Sequence, residues 1–123
     1  MVKIDLSIVI VSYNTKKITE DCIESINRSL TNTKIKYEII VVDNDSLDGS
    51  AKALEKIAKD ETNHLTYFQT GSNLGFGQGN NFGVERANGR YILLLNTDMI
   101  VLNRAIEKLY NFYVAQEKRV QFL

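Results

Sequence analysis

Short apolar runs rich in β-branched residues alternate along this chain with stretches whose apolar residues recur every three or four positions, and that alternation leaves few folds open. Leu6–Val11 is the first such run and reads as a buried strand. In Lys16–Leu30 the residues Ile18, Cys22, Ile26 and Leu30 recur every four positions with Ile23 beside them, one apolar helix stripe with Thr15 placed as its N-cap. Tyr37–Asp43 is a second buried strand, followed by the turn-forming segment Asp45–Ser50 and a helix carrying Ala51, Leu54, Ile57 and Ala58 on one face. Leu65–Thr70 reads as a shorter, half-polar third strand. Gly71–Gly83 holds five of the seven glycines; its latter part opens a helix running to about Ala87, with Val84 and Ala87 facing inward. After the Asn88-Gly89 turn, Tyr91–Leu95 forms a fourth strand, and a last helix spans about Arg104–Glu117 with Ile106, Leu109, Tyr110 and Tyr113 on its apolar side. Val120–Leu123 reads as the start of another strand.

Strands and helices in this order call for right-handed βαβ crossovers, and continuous apolar strands call for burial on both faces. The expected fold is a Rossmann-like three-layer α/β/α domain with a mainly parallel sheet. A length of 123 residues suits one domain, and 44% hydrophobic against 24% charged residues is a core-forming composition. Fifteen Lys+Arg balance fifteen Asp+Glu, which argues against a nucleic-acid protein working through a basic surface. The single cysteine, Cys22, cannot make an internal disulfide; it lies on the apolar stripe of the first helix and reads as core. Apolar runs such as Ile8–Val11 and Ile92–Leu95 are far short of the roughly 20 residues that span a bilayer, and Met1–Leu6 carries no secretory pattern. The expected location is the cytoplasm.

Ligands of such sheets bind beyond the carboxyl ends of the strands. That rule selects Ser12–Thr15, Asp43–Ser50, Gly71–Asn81 and Asn96–Ile100, where polar residues gather. A dinucleotide-binding oxidoreductase would place its glycine fingerprint after the first strand, and Ser12–Lys17 contains no glycine. No Gly-Lys-Ser/Thr sequence occurs, so a P-loop is excluded as well. The sole histidine, His64, falls in a polar turn before the third strand and reads as surface.

The ordered set VSYN (Val11–Asn14), VVDNDSLDGS (Val41–Ser50), NLGFGQGNNFG (Asn73–Gly83) and LLLNTD (Leu93–Asp98) resembles the inverting glycosyltransferases of the GT-A fold, family 2, most of all their rhamnosyltransferase-like branch. The resemblance covers about positions 6–103. It implies that Ser12, Tyr13 and Asn14 line a nucleotide base and ribose and that Asp43 hydrogen-bonds the base. It implies further that Asn73, Gly75, Phe76, Gly77, Asn80 and Asn81 pass beside the ribose and diphosphate. Asn96-Thr97-Asp98 stands where the family carries its metal-binding Asp-x-Asp motif; the first position departs to Asn96, a usual variant in that branch, and Asp98 is retained.

Physical chemistry supports such a site independently. A nucleoside diphosphate brings two to three negative charges into a cleft, and a divalent cation shared with phosphate oxygens needs only one or two protein ligands. Asp98 with the Asn96 amide oxygen suits Mg²⁺ or Mn²⁺. Glycines 75, 77 and 79 would admit close ligand approach, and a helix starting there would aim N–H groups at phosphate. The resemblance implies as partners a nucleotide-sugar donor, a UDP- or dTDP-sugar, and a carbohydrate or lipid-linked acceptor in cell-surface polysaccharide synthesis, at the cytoplasmic side and peripheral to a membrane. Inverting transfer also needs a general base, which in the family lies well beyond the metal motif. Residues 1–123 therefore read as the nucleotide-sugar-binding half of a longer domain, with the acceptor half and base beyond Leu123 and no transfer by this half alone. The alternative is a non-catalytic nucleotide-binding or interaction module on the same fold. An unpaired sheet edge beside Tyr110, Phe112 and Tyr113 further implies a homodimer.

Overall fold

The computed structural model describes residues 3–120. Its elements run β1 (Ile4–Ser12), α1 (Lys16–Ser29), β2 (Tyr37–Asp43), α2 (Ser50–Lys59), a 3₁₀ turn (Glu61–Asn63), β3 (Leu65–Gln69), α3 (Gly75–Arg86), β4 (Gly89–Leu94) and α4 (Ala105–Val120). The four strands form one sheet in the order β3-β2-β1-β4, every pairing parallel. In register, Ile8 lies between Ile39 and Leu93, and Ser12 lies opposite Asp43.

Because side chains alternate across a strand, β1 divides its apolar residues between two faces. Leu6, Ile8 and Ile10 join Ile39, Val41, Leu65, Leu93 and the inner sides of α1, α2 and α4 in the larger core; Val9, Ile40 and Val42 form the smaller core with Phe68, Phe82 and Ala87. Three helices thus cover one face and α3 alone covers the other. The crossover rule explains this. The chain steps from β1 through β2 to β3 in one direction and then returns past β1 to β4, so a right-handed return must pass over the opposite face.

Some expectations need correction. Val120 ends α4 instead of opening a strand, because the helix is propagated through Gln116 and beyond without a breaker; positions 121–123 lie outside the described residues. The fourth strand begins at Gly89, two residues early, since the Gly89 amide is held by the Ser7 hydroxyl at 2.7 Å. Val84 is exposed: α3 meets the sheet through Gly79 and Gly83, where an added Cβ would lie 2.8 Å from a Val11 methyl and 2.5 Å from a Val9 methyl. Ile18 is also exposed, as are Leu109 and Tyr113 of the last helix. Thr15 precedes α1 but makes no cap with its side chain; its hydroxyl instead joins those of Ser12 and Thr19 in a triangle with sides of 3.3, 2.9 and 3.1 Å.

Candidate functional site

All four segments selected from the sequence follow the C-terminal ends of β1, β2, β3 and β4 on one rim of the sheet. The strand order places the switch point, where crevices open in such sheets, between β1 and β4. Ser12–Thr15 stands on one side of it and Asn96–Asp98 on the other.

The first two loops are stitched together. The Asn14 amide donates to the Ser46 hydroxyl (2.8 Å), the Leu47 amide donates to Asn14 Oδ1 (2.8 Å), and the Asn44 amide donates to the Ser12 carbonyl (2.9 Å). Asn14 adopts the left-handed region at φ 53°, which asparagine tolerates better than most residues. Asp48 spans two helix starts: its carboxylate accepts from the Lys16 amide at 3.0 Å and from the Ser50 amide at 3.1 Å. The Ser50 hydroxyl, followed by those amides, holds the Asp48 carboxyl below the usual carboxylate range. These ties fix the β1 and β2 ends as one rigid ledge, with Tyr13 and Asn14 exposed upon it.

Asp43 lies beneath this ledge with no accessible surface (0%). One carboxylate oxygen accepts from the Ser46 hydroxyl (2.6 Å); the other accepts from the Ser46 amide (3.0 Å) and Gln69 Nε2 (3.1 Å). Ser12 is equally buried, its hydroxyl turned toward Thr15 and Thr19. Sequence reasoning put both on an open rim. The ends of their strands are on the rim, but these two side chains point into the packing below it.

The glycine segment becomes helix sooner than expected, at Gly75. Asn73 Oδ1 accepts from the Gly75 amide (3.0 Å), and Gly75 sits at φ +82°, a conformation that favours glycine. Beyond Gly75, Phe76, Gly77 and Asn81 are exposed and Asn80 is buried. An added Cβ at Gly75 or Gly77 would meet nothing within 4 Å, whereas Gly79 is pressed against Val11 and Asn44. Gly79 therefore serves close helix–sheet packing, a correction to its expected place beside a ligand. Asn44, which the sequence reading passed over, ties this segment to β2: its Nδ2 donates to the Gly75 carbonyl (3.0 Å). Gln69 was passed over as well, a lone polar residue ending a half-polar strand; its partners are taken up below.

Asn96 and Asp98 are exposed after β4. The Asn96 carbonyl lies 3.9 Å from the Cys22 thiol, and burial, with the charge of Asp98 as a lesser cause, pushes that thiol up to about 11. Cys22 is thus a protonated core residue at pH 7. No Lys or Arg among the described residues pairs with Asp98, and no group of three or more His, Cys, Asp or Glu gathers there. A lone exposed carboxylate two residues after an exposed asparagine fits a hard cation whose remaining ligands are phosphates and water, and does not fit a cation held by protein alone.

A four-stranded parallel sheet flanked by helices, with polar loops along its carboxyl edge, is the fold this chain shares with GT-A glycosyltransferases. The family model described as glycosyl transferase family 2 matches residues 7–121, and the chain belongs to that family. It is 34% identical over 107 residues to the poly(ribitol-phosphate) beta-glucosyltransferase of Bacillus spizizenii, a match that covers 87% of this chain and 17% of that protein. Its fold resembles S. aureus TarS 1–349 in complex with UDP-GlcNAc (TM-score 0.77, 23% identity, 92% of this chain and 32% of that one). It also resembles the mannosyltransferase PcManGT of Pyrobaculum calidifontis in complex with GDP-Man and Mn²⁺ (TM-score 0.75, 22% identity, 86% and 30%). The chain spans less than half the length of the curated relatives it matches.

Proposed function

We propose that residues 1–123 are the donor-binding portion of an inverting glycosyltransferase, holding a UDP- or dTDP-sugar across the β1/β4 switch point for transfer to an acceptor hydroxyl. The observation that carries this reading is the convergence of four polar loops on one rim, two of them locked together through Asn14, Ser46 and Asp48. In this reading Tyr13 and Asn14 support base and ribose and Asp43 reads the base. Asn73, Gly75, Phe76 and Gly77 run beside the diphosphate, with Asn80 and Asn81 further along α3. Ser12 acts from below, through its hydroxyl triangle. Asp98 and the Asn96 amide oxygen would hold Mg²⁺ or Mn²⁺, which when bound neutralises phosphate charge and stabilises the departing diphosphate. The Mn²⁺ complex of PcManGT supports that part of the proposal.

The carboxylates of α4 do not suit the role of catalytic base. Glu107 is paired with Arg104 and bonded to Thr33, and Glu117 is paired with Arg90. The 123-residue chain is accordingly expected to bind donor without transferring sugar. The name of the Bacillus relative, a poly(ribitol-phosphate) beta-glucosyltransferase, supports a polymeric acceptor. No helix among the described residues is long and apolar enough to cross a membrane, and a cytoplasmic, membrane-peripheral position remains part of the proposal. A thermal-shift panel of UDP-, dTDP- and GDP-sugars with Mg²⁺ or Mn²⁺ tests the reading; stabilisation by at least one sugar nucleotide is expected, and indifference to all of them would overturn it.

Asp43 bears directly on this proposal. Asp43→Asn is expected to weaken UDP or dTDP binding by about 1–3 kcal/mol, the usual loss when a charged hydrogen bond is removed. With three donors converging on a buried carboxylate, the variant should also lose about 1–3 kcal/mol of folding free energy. Calorimetric titration and chemical denaturation measure the two losses separately.

Self-association is the remaining part. β4 is an edge strand whose open face shows Ile92 and Leu94, and Leu109, Phe112 and Tyr113 are exposed on α4. Between β4 and α4 runs a groove of about 380 Å³ lined in part by Tyr91, Leu109 and Tyr113, and the buried Tyr91 hydroxyl in its wall has no partner among the described residues. A second copy laid along this edge would cover both, as a homodimer. Light scattering at about tens of micromolar, where weak interfaces populate, is expected to report a dimer or larger species; a clean monomer would contradict it.

A further inference from the structure

Gln69 ends β3 and stands exposed directly over the buried Asp43. Its terminal amide makes four hydrogen bonds. Oε1 accepts from the Asp45 amide (3.1 Å) and the Gly71 amide (3.0 Å), while Nε2 donates to Asp43 (3.1 Å) and to the Tyr67 hydroxyl (3.0 Å). The two backbone N–H groups can only donate and the carboxylate can only accept, so this orientation of the amide is the one its partners permit.

The surroundings therefore present one anionic acceptor beside two N–H donors, spaced for a group that carries an N–H and a carbonyl on the same carbon. A primary carboxamide has that pattern. So do the N3–H/C4=O edge of uracil and thymine and the N1–H/C6=O edge of guanine; cytosine and adenine carry an acceptor nitrogen where the N–H is required. We infer that the Gln69 amide is a stand-in for the base: it fills the base-reading position in the empty protein and swings out when an imide or lactam base arrives.

This inference rests on the proposal that Asp43 reads the base, and it removes a difficulty in that proposal, since Asp43 as it stands has no accessible surface. On exchange, Asp43 trades the Gln69 N–H for the base N–H, and the Asp45 and Gly71 amides trade one carbonyl for another. The released amide of Gln69, on the rim, is solvated by water. Three of the four hydrogen bonds pass to the base, and the fourth, from Nε2 to the Tyr67 hydroxyl, passes to water on both sides, so the exchange is nearly neutral for a matching base. A base with the wrong edge would leave a buried carboxylate and two N–H groups facing the wrong partners, which is where large discrimination arises.

The test compares UDP, dTDP, GDP, CDP and ADP by calorimetry with Mg²⁺ on the wild-type chain and on Gln69→Ala and Asp43→Asn. At least one of UDP, dTDP and GDP should bind tenfold or more tighter than CDP and ADP, and Asp43→Asn should remove that preference. Gln69→Ala should bind the preferred nucleotide as tightly as the wild type or up to about tenfold tighter, because a competing internal hydrogen-bonded group is gone. A tenfold loss in Gln69→Ala, with Asp43→Asn also weakened, would make Gln69 a fixed support and overturn the stand-in while leaving base reading by Asp43 intact. No preference among the bases, or no effect of Asp43→Asn, would overturn the base reading itself. Should Gln69→Ala not fold, the ¹⁵N spectrum of the wild-type chain decides: saturation with the preferred nucleotide should move the Gln69 side-chain NH₂ signal to a solvent-exposed position, and an unmoved signal would overturn the inference.

Discussion

Gly83→Leu is expected to destabilise the protein by about 3 kcal/mol or more, at or beyond the upper end of what overpacking a core costs. Gly83 sits where α3 crosses the two central strands, and its added Cβ would lie 2.5 Å from Val9 Cγ1 and 3.2 Å from Val42 Cγ2. Both valines have no accessible surface and are held between hydrogen-bonded neighbours, so neither can give way. The helix would have to lift, opening the smaller core formed by Val9, Ile40, Val42, Phe68 and Phe82. For a domain whose whole stability is about 5–15 kcal/mol, that loss lowers the melting temperature by about 10 °C or more. Gly77→Ala is the control: it is helical, an added Cβ would meet nothing within 4 Å, and replacing glycine in a helix should add about 0.5–1 kcal/mol. Thermal melts followed by circular dichroism compare the two. Equal melting temperatures would mean that α3 does not rest on the sheet through Gly83.

The same helix shows what could be read from the chain and what could not. Tyr37–Asp43 was legible to the residue, because an unbroken apolar run between polar segments has one physical reading when the sheet buries both faces. For α3 the hydrophobic pattern pointed to Val84 and Ala87; Ala87 does pack on the smaller core, but Val84 is exposed and the closest contact with the sheet is made by Gly79 and Gly83. Apolar periodicity weighs side chains and is blind to a helix that packs by lacking them. The strand order was not legible either, because nothing in β4 itself says that it pairs with β1 and not β3.

The site divides along a similar line. The four loops were found because a parallel sheet dictates which ends of the strands carry ligands. The stitching was missed: Asp48, Asn44 and Gln69 each act across 24 or more residues of sequence. Asp48-Gly-Ser50 did carry a signal, an acidic residue just ahead of a helix, but its second attachment to the Lys16 amide arises only in the folded chain. Asp43 was recognised by its motif, while its burial follows from Gln69 closing over it, which no local pattern announces.

Asp98→Ala is expected to cancel the cation's share of nucleotide binding. In the proposed reading the rim binds a sugar nucleotide together with a cation that Asp98 would hold, and base recognition is supplied separately by the ledge of β1 and β2. Asp98 is exposed, and no cationic side chain among the described residues satisfies its carboxylate. Its removal should leave the fold untouched and cancel the metal contribution; in the wild type, chelation should weaken nucleotide binding by about tenfold or more, equivalent to about 1.4 kcal/mol or more. The most direct measurement is a calorimetric titration of the best-bound sugar nucleotide into wild type and Asp98→Ala, each with Mn²⁺ and with EDTA. Tight binding is expected only for wild type with Mn²⁺, with the other three combinations sharing one weaker, base-dependent affinity; equal affinity in all four would refute the cation-holding role of Asp98.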